Sequence, residues 1–317
     1  MVLSVSGGKM EIRKTADVII PAYHPGTEFG ELLKRLENQD YPIRKIIVMN
    51  TEEKFWDPKW ETERDLLEVH HLSRAEFDHG GTRKAAAAMS DADVLIFMTQ
   101  DALPRDRHLI RELLRPLEQE NVAASYARQI PGKDCRYLEK YTRSFNYPEH
   151  SSVKWEEDIE RIGIKAFFCS NVCAAYERNV YGQLGGFVDR AIFNEDMIFA
   201  ASLLRNGYGV AYAAQACVIH SHNYSGVQQF HRNFDLGVSQ AEHPEVFDGI
   251  PSEGEGLRLV KKSLLYLCRT GHFWLIPQLI WQSGCKYAGY FLGKRFRRLP
   301  GTLVRKCSMN AAYWERR

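Results

Sequence analysis

The sequence predicts an α/β fold built on a mostly parallel central sheet, with a helical segment at the C-terminus. Three observations carry this. Short apolar runs, Asp17 to Pro21, Lys45 to Met49, Leu66 to Leu72 and Asp93 to Met98, alternate with stretches of helical period. Such near-continuous runs suit strands buried on both faces of a parallel sheet. The 317 residues, 44% hydrophobic and 12% aromatic, suffice for one large core plus an appendage. Finally, Leu264 to Arg298 is aromatic and basic. We therefore expect a main domain over 1–245 and a basic, aromatic, mostly helical segment over 246–317.

In chain order, Met1 to Thr15 intersperses polar residues with single apolar ones and lacks the continuous apolar run of a secretory signal, so a cytoplasmic protein is expected. The first strand leads to a helix with Phe29, Leu32, Leu33 and Leu36 on one face, with Thr27 as its expected cap. Gln39-Asp40-Tyr41-Pro42 ends it, because a residue before proline is pushed out of the helical region. Thr82 to Met89 reads as an alanine-rich helix, and Asp106 to Gln119 as another with an apolar stripe. Pro131 to Arg161 has no clear period and is expected to be a long functional loop or insertion. Phe167 to Tyr176 reads as a strand, Gly185-Gly186 as a turn, and Asp196 to Asn206 as a helix that Gly207 stops in the left-handed conformation. Val210 to His220 is the last strand. The seven cysteines are odd in number and form no C-x-x-C pair, which predicts reduced thiols rather than zinc or redox chemistry.

In open α/β sheets ligands bind beyond the carboxyl ends of the strands. The residues there are Pro21-Ala-Tyr-His-Pro25, Asn50-Thr51, Phe77-Asp-His-Gly-Gly-Thr-Arg83 and Thr99-Gln-Asp101-Ala-Leu-Pro104. None is a G-x-G-x-x-G or a G-x-x-x-x-G-K-[ST] loop, which argues against a dinucleotide-dependent oxidoreductase or a P-loop NTPase.

Together these motifs resemble the family 2 glycosyltransferases of the GT-A fold, over roughly Asp17 to Ser225. Glu76-Phe-Asp-His-Gly-Gly-Thr-Arg83 followed by Met98-Thr-Gln-Asp-Ala-Leu-Pro104 is similar to the bacterial rhamnosyltransferase branch. The resemblance implies an inverting, metal-dependent transfer of a sugar, rhamnose from dTDP-rhamnose, to a glycan or lipid-linked glycan hydroxyl in surface polysaccharide synthesis. It places Pro21, Tyr23, Asn50, Asp78, His79, Gly81, Arg83, Gln100 and Asp101 around the nucleotide sugar, with Arg83 on the diphosphate. Asp101 is what remains of the family's Asp-x-Asp motif and is the implied ligand of Mg²⁺ or Mn²⁺, joined by His222 from His220-Ser-His222. One protein carboxylate can suffice, since a hard cation keeps waters and takes the donor's phosphates. Asn50 and Lys84 depart from the family, which commonly has Asp and Asn there; the nucleotide preference is the property this touches.

Phe193-Asn194-Glu195-Asp196 matches the family's Glu-Asp motif at a helix start. A sugar hydroxyl needs a base to take its proton in the transition state. The resemblance makes Asp196 that base with Glu195 beside it; the alternative is that both acids cap the helix.

From Gly256 to the end there are thirteen Lys or Arg against one acidic residue, a net of +12, which leaves the first 255 residues at −10. Aromatic anchors with clustered basic residues suit an anionic leaflet, so a peripheral position on the inner face of the cell membrane is expected; the alternative is a helical appendage that packs its aromatics on the body. Pro277 and Gln278 interrupt the best apolar run, which is too short to span a bilayer. No nucleic-acid recognition module is present. Two other readings stand beside this one: a family 2 enzyme for a different sugar nucleotide, and a non-catalytic member that binds nucleotide or membrane. The presence of both Asp101 and Asp196 weighs against the second.

Overall fold

A computed structural model describes residues 2–6, 9–250 and 253–316. A hairpin of β1 (Val2–Ser6) and β2 (Lys9–Arg13) precedes the main sheet. The sheet comprises β3 (Ala16–Tyr23), β4 (Lys45–Thr51), β5 (Leu67–Leu72), β6 (Val94–Met98), the short β7 (Leu103–Pro104), β8 (Val122–Ile130), the short β9 (Ser152–Lys154), β10 (Cys173–Glu177) and β11 (Gly209–Ile219). Its order is β5-β4-β3-β6-β10-β8-β11-β7, with β9 also on β11. The strands β5, β4, β3, β6, β8 and β11 run one way, and β10 runs against them between β6 and β8. The expected α/β class and mostly parallel sheet are therefore present.

Alternate residues of the central strands enter two cores. Val18, Ile20, Ile46, Val48 and Ile96 pack with Leu32, Leu33 and Leu36 of α1 (Thr27–Glu37) and with Ile110 and Leu113 of α3 (Leu109–Leu114). Ile19, Ile47, Leu95 and Phe97 face the opposite layer, with Ala86 of α2 (His79–Ala88) and Phe199 and Leu203 of α5 (Glu195–Arg205). Burial on both faces is why these strands read as unbroken apolar runs.

Several local expectations are corrected. Thr27 is the first residue of α1 rather than its cap; Gly26 holds the cap position without a side-chain bond. The expected helix from Asp106 is shorter, because Pro116 turns its end into a 3-10 turn over Arg115–Glu118. The expected strand from Phe167 begins only at Cys173, and residues 168–172 form irregular backbone at the cleft. The expected insertion 131–161 holds α4 (Tyr137–Asn146), β9 and a helical turn at Asp158–Ile162. The strand β8 was not anticipated, since Val-Ala-Ala-Ser-Tyr-Ala-Arg-Gln-Ile lacks a β-branched run although it is largely buried. Gly185, Gly186 and Gly207 all have positive φ, as expected of the turn and of the helix stop.

The C-terminal segment packs on the body. α6 (Gly226–Glu242) opens with a reciprocal capping box between Ser225 and Gln228. It is followed by α7 (Glu253–Arg269), α8 (Ile276–Gly293) and α9 (Gly301–Cys307). Phe296, Val304, Tyr313 and Trp314 share a core with Ile192, Phe234 and Val238. The axes of α6 and α8 approach closely because glycines meet backbone: a Cβ on Gly289 would lie 2.2 Å from the Phe230 oxygen, and one on Gly293 2.1 Å from the Phe234 oxygen. Gly293→Ala should therefore force the helices apart and cost about 1–3 kcal/mol. Urea denaturation measures this, and an unchanged midpoint would mean that the interface yields freely.

Candidate active site

The strand order reverses between β3 and β6, with β4 and β5 on one side and β6 onward on the other, and a cleft of about 690 Å³ opens beyond their carboxyl ends. Gln100 joins the two strands there. Its amide accepts from the Tyr23 N–H at 2.8 Å and donates to the Tyr23 carbonyl at 2.9 Å. This leaves the Tyr23 ring 44% exposed at the cleft.

Asp101 follows β6, and His220 and His222 follow β11. Candidate ligand atoms of all three lie within 4.8 Å of one another, with the imidazole Nε2 atoms of His220 and His222 at 3.5 and 3.3 Å from Asp101 Oδ2. Burial opposes ionisation of Asp101, but the His220 hydrogen bond and the two imidazoles hold its carboxyl well below the usual range. Burial and the neighbouring His220 push His222 down to about 4, so that its imidazole is neutral at neutral pH. The Gln129 Oε1 lies 2.9 Å from His220 Nδ1. A carbonyl oxygen can only accept, so Nδ1 carries a proton, and this bond orients the ring with Nε2 toward Asp101. Gln129 is itself held by Ser170, to which its Nε2 donates at 2.9 Å, and by the Arg143 guanidinium. An ionised carboxylate with two imidazoles, one of tautomer set from behind, suits a divalent cation. The sequence reading had selected His222 alone; the fold brings both histidines to Asp101.

Also lining the cleft, Glu195 and Asp196 begin α5 under different influences. Glu195 is buried, receives Asn171 Nδ2 at 3.1 Å and pairs with Arg83 at 3.2 Å. Arg83 is only 4% exposed, so it is not a solvated charge at a helix start; it also donates to the His79 carbonyl at 3.0 Å. Among the described residues the Asp196 carboxylate accepts only backbone amides, from Asn171 at 3.0 Å and Met197 at 2.8 Å, and no cation pairs with it. Burial and then the charge of Glu195 push its pKa up from the ordinary carboxylate value. A carboxylate raised in this way and open to the cleft is suited to accept a proton near neutral pH. The helix's cap position is held by Asn194 in the left-handed region without a side-chain bond, so neither acid occupies it.

Of the residues expected around a nucleotide sugar, Pro21, Tyr23, His79, Arg83, Gln100 and Asp101 line the cleft. Asn50, Asp78 and Gly81 do not. Asn50 is fully buried beneath it, with Nδ2 2.9 Å from His71 Nδ1. Asp78 caps α2 by accepting the Gly80 and Gly81 amides at 3.0 and 2.7 Å. Gly81 is crowded by the Asp189 carbonyl, 2.5 Å from where a Cβ would sit. These are supporting positions: the buried carboxylate orients the helix that carries Arg83.

Sequence reasoning missed Gln129, Arg143, Asn171 and Arg232. The signal for Arg143 was present, since Glu139, Thr142, Arg143 and Asn146 on α4 share one helical face and all line the cleft. Arg232 on α6 also lines it, its guanidinium 4.6 Å from the Phe193 ring, with no carboxylate partner among the described residues.

The sequence pattern of the family "Glycosyl transferase family 2" matches residues 17–185. The chain is 39% identical over 301 residues to the O-antigen chain rhamnosyltransferase RfbN of Salmonella typhimurium (94% of this chain, 95% of the relative). It is 36% identical over 307 residues to the O-antigen chain rhamnosyltransferase WbaN of Salmonella anatum (94% and 95%). Its fold resembles that of the mannosyltransferase PcManGT from Pyrobaculum calidifontis, solved with GDP-Man and Mn²⁺ (TM-score 0.56, 17% identity, covering 96% of this chain and 86% of that one). Since the family pattern covers more than half of the sequence and both relatives align along nearly all of it, the chain belongs to glycosyl transferase family 2, is similar within it to bacterial rhamnosyltransferases, and is a glycosyltransferase.

Proposed function

We propose that the protein transfers rhamnose from dTDP-rhamnose, with inversion, to a glycan hydroxyl in the synthesis of a bacterial surface polysaccharide. The observation that carries the reading is that one cleft holds both a proton-accepting Asp196, with no cation partner among the described residues, and the Asp101–His220–His222 triangle. The relatives' names, O-antigen chain rhamnosyltransferases, support the sugar and the pathway.

Asp196 takes the acceptor's hydroxyl proton as that oxygen bonds to the anomeric carbon and the bond to the diphosphate breaks. Asn171 steadies the base through its backbone amide and holds Glu195 through its side chain. Arg232, without a carboxylate partner among the described residues, supplies positive charge to the cleft, and Arg83, paired with Glu195, adds guanidinium N–H donors beside it. A divalent cation held by Asp101, His220 and His222 would neutralise charge on the departing diphosphate. Two nitrogen donors fit Mn²⁺ better than Mg²⁺, which prefers an all-oxygen shell. A donor-hydrolysis screen of dTDP-, UDP- and GDP-sugars with and without Mn²⁺ tests the reading. Fastest turnover of dTDP-rhamnose, dependent on Mn²⁺, is expected; preference for a UDP- or GDP-sugar would overturn the donor assignment.

The same reading includes docking on an anionic membrane surface. No helix among the described residues is long and apolar enough to cross a membrane. Phe273, Trp274, Ile280 and Trp281 are each at least 60% exposed on a segment of strong positive charge. Because that segment shares a core with the body, removing it would damage the fold, and point substitution is the cleaner test. Phe273→Ser with Trp274→Ser should reduce co-sedimentation with phosphatidylglycerol vesicles roughly tenfold or more while leaving the melting curve unchanged, and salt should weaken the wild type. Equal sedimentation of variant and wild type would remove this surface as the anchor.

A further inference from the structure

The irregular segment 168–172 lines the cleft and is fixed at both ends. The Phe168 carbonyl accepts the ammonium of the buried Lys154, and the Val172 carbonyl accepts the Thr99 N–H at 3.2 Å. Between these ends Asn171, 3% exposed, reaches both acids: its backbone N–H donates to Asp196 Oδ2 at 3.0 Å and its Nδ2 to Glu195 Oε1 at 3.1 Å. Only one orientation of the side-chain amide does this, because a carboxylate accepts and the amide nitrogen must face it. That orientation is selected from behind by Tyr176 of β10, whose hydroxyl donates to Asn171 Oδ1 at 2.9 Å. The ring of Tyr176 is fully buried, with the ring centroids of Phe97, Phe187 and Phe199 at 5.5 to 5.7 Å, so the hydroxyl has no room to swing away. Cys169 Sγ lies 3.3 Å from the same oxygen; the single phenolic proton goes to Asn171, so the thiol is the donor there. A phenylalanine ring would fill these apolar surroundings, and a buried hydroxyl is costly unless bonded. The packing does not call for this oxygen, whereas the arrangement of Asn171 does.

We propose that Tyr176 is a positioning residue for sugar transfer: by locking the Asn171 side chain it holds Glu195 and keeps the Asn171 N–H on Asp196. The inference rests on the reading of Asp196 as the base. Tyr176 is not among the residues that line the cleft, so it acts through Asn171 and not on a substrate. Without the hydroxyl, the Asn171 amide is free to turn its oxygen toward Glu195, where two acceptors repel one another. The segment then shifts, and Asp196 loses the N–H that aims its carboxylate. A displacement of about 1 Å in a group that takes a proton costs on the order of 10²-fold in rate while leaving ground-state binding in place.

The test uses the full chain and the sugar nucleotide it hydrolyses fastest, water standing in for the acceptor hydroxyl, with turnover expressed per nucleotide-binding site so that misfolded protein is not counted. Tyr176→Phe should lower kcat roughly 10- to 100-fold with the KM for the sugar nucleotide within about twofold of wild type. Asn171→Ala should lose at least as much, and adding Tyr176→Phe to it should change kcat little further, since the hydroxyl then has no group to act through. Wild-type kcat in Tyr176→Phe would overturn the proposal. So would an equal further loss in the Asn171→Ala background, which would show that Tyr176 acts by another route, and so would a rise in KM that accounts for the whole effect. Should Tyr176→Phe fail to fold, Asn171→Ala decides alone, and wild-type kcat in that variant overturns the proposal. Near-normal hydrolysis by Asp196→Asn strikes the reading of the base; wild-type kcat in Tyr176→Phe beside an inactive Asp196→Asn strikes only the role of Tyr176.

Discussion

Asp196→Asn should lower sugar transfer on the order of 10² to 10⁴-fold, the range for removing a general base, while leaving the affinity for nucleotide and metal nearly intact. The substitution keeps the side chain's size and its capacity to accept the Asn171 amide, and removes only the proton-accepting charge. A role limited to steadying the helix start predicts almost no effect, because Asn serves helix starts about as well as Asp. Near-normal transfer would therefore remove Asp196 as the base. Glu195 is a poor substitute, since its carboxylate is engaged by Arg83 and Asn171. The pH profile gives a second readout. Burial and Glu195 raise the pKa of Asp196, and the base acts only when deprotonated, so the rate should fall as pH drops through that raised value. The acid limb should lie above the ordinary aspartate value of about 4. An acid limb at the ordinary value, in single-turnover measurements, would contradict the burial argument.

The second large effect is expected at the triangle. Asp101→Asn or His220→Ala should weaken Mn²⁺-dependent nucleotide binding at least about 100-fold, the upper range seen for loss of groups that merely orient a ligand. Gln129→Leu should cost less, about 10- to 100-fold, by releasing the tautomer and orientation of His220 rather than a donor atom. Titration of dTDP with and without Mn²⁺ checks both. Unchanged affinity in Asp101→Asn would take the triangle out of the donor site. An effect of Gln129→Leu as large as that of His220→Ala would mean that Gln129 does more than orient.

The local sequence determined the four parallel strands from Ala16 to Met98, the helices packed on them and the helix stop at Gly207, and its polar motifs, through their family resemblance, singled out Asp101 and Asp196 as candidates. Each is written in a short window, as a run buried on two faces, a 3.6-residue stripe, or a polar motif where such a run ends. β8 escaped because its alanines and serine bury well without any apolar period, and α4 because its polar face turns inward to the cleft, which inverts the usual pattern. Only the tertiary structure could bring His220 and Gln129 to Asp101, since that meeting depends on β11 lying beside β8 and both ending at the same edge as β6. Only it could separate the two adjacent acids, giving Arg83 to Glu195 and none to Asp196. Only it could close the C-terminal helices onto α6 through Gly289 and Gly293. The physical reason is common to all three: strand order and close backbone approach decide which distant groups share a desolvated space, and neither is a property of any one stretch of chain.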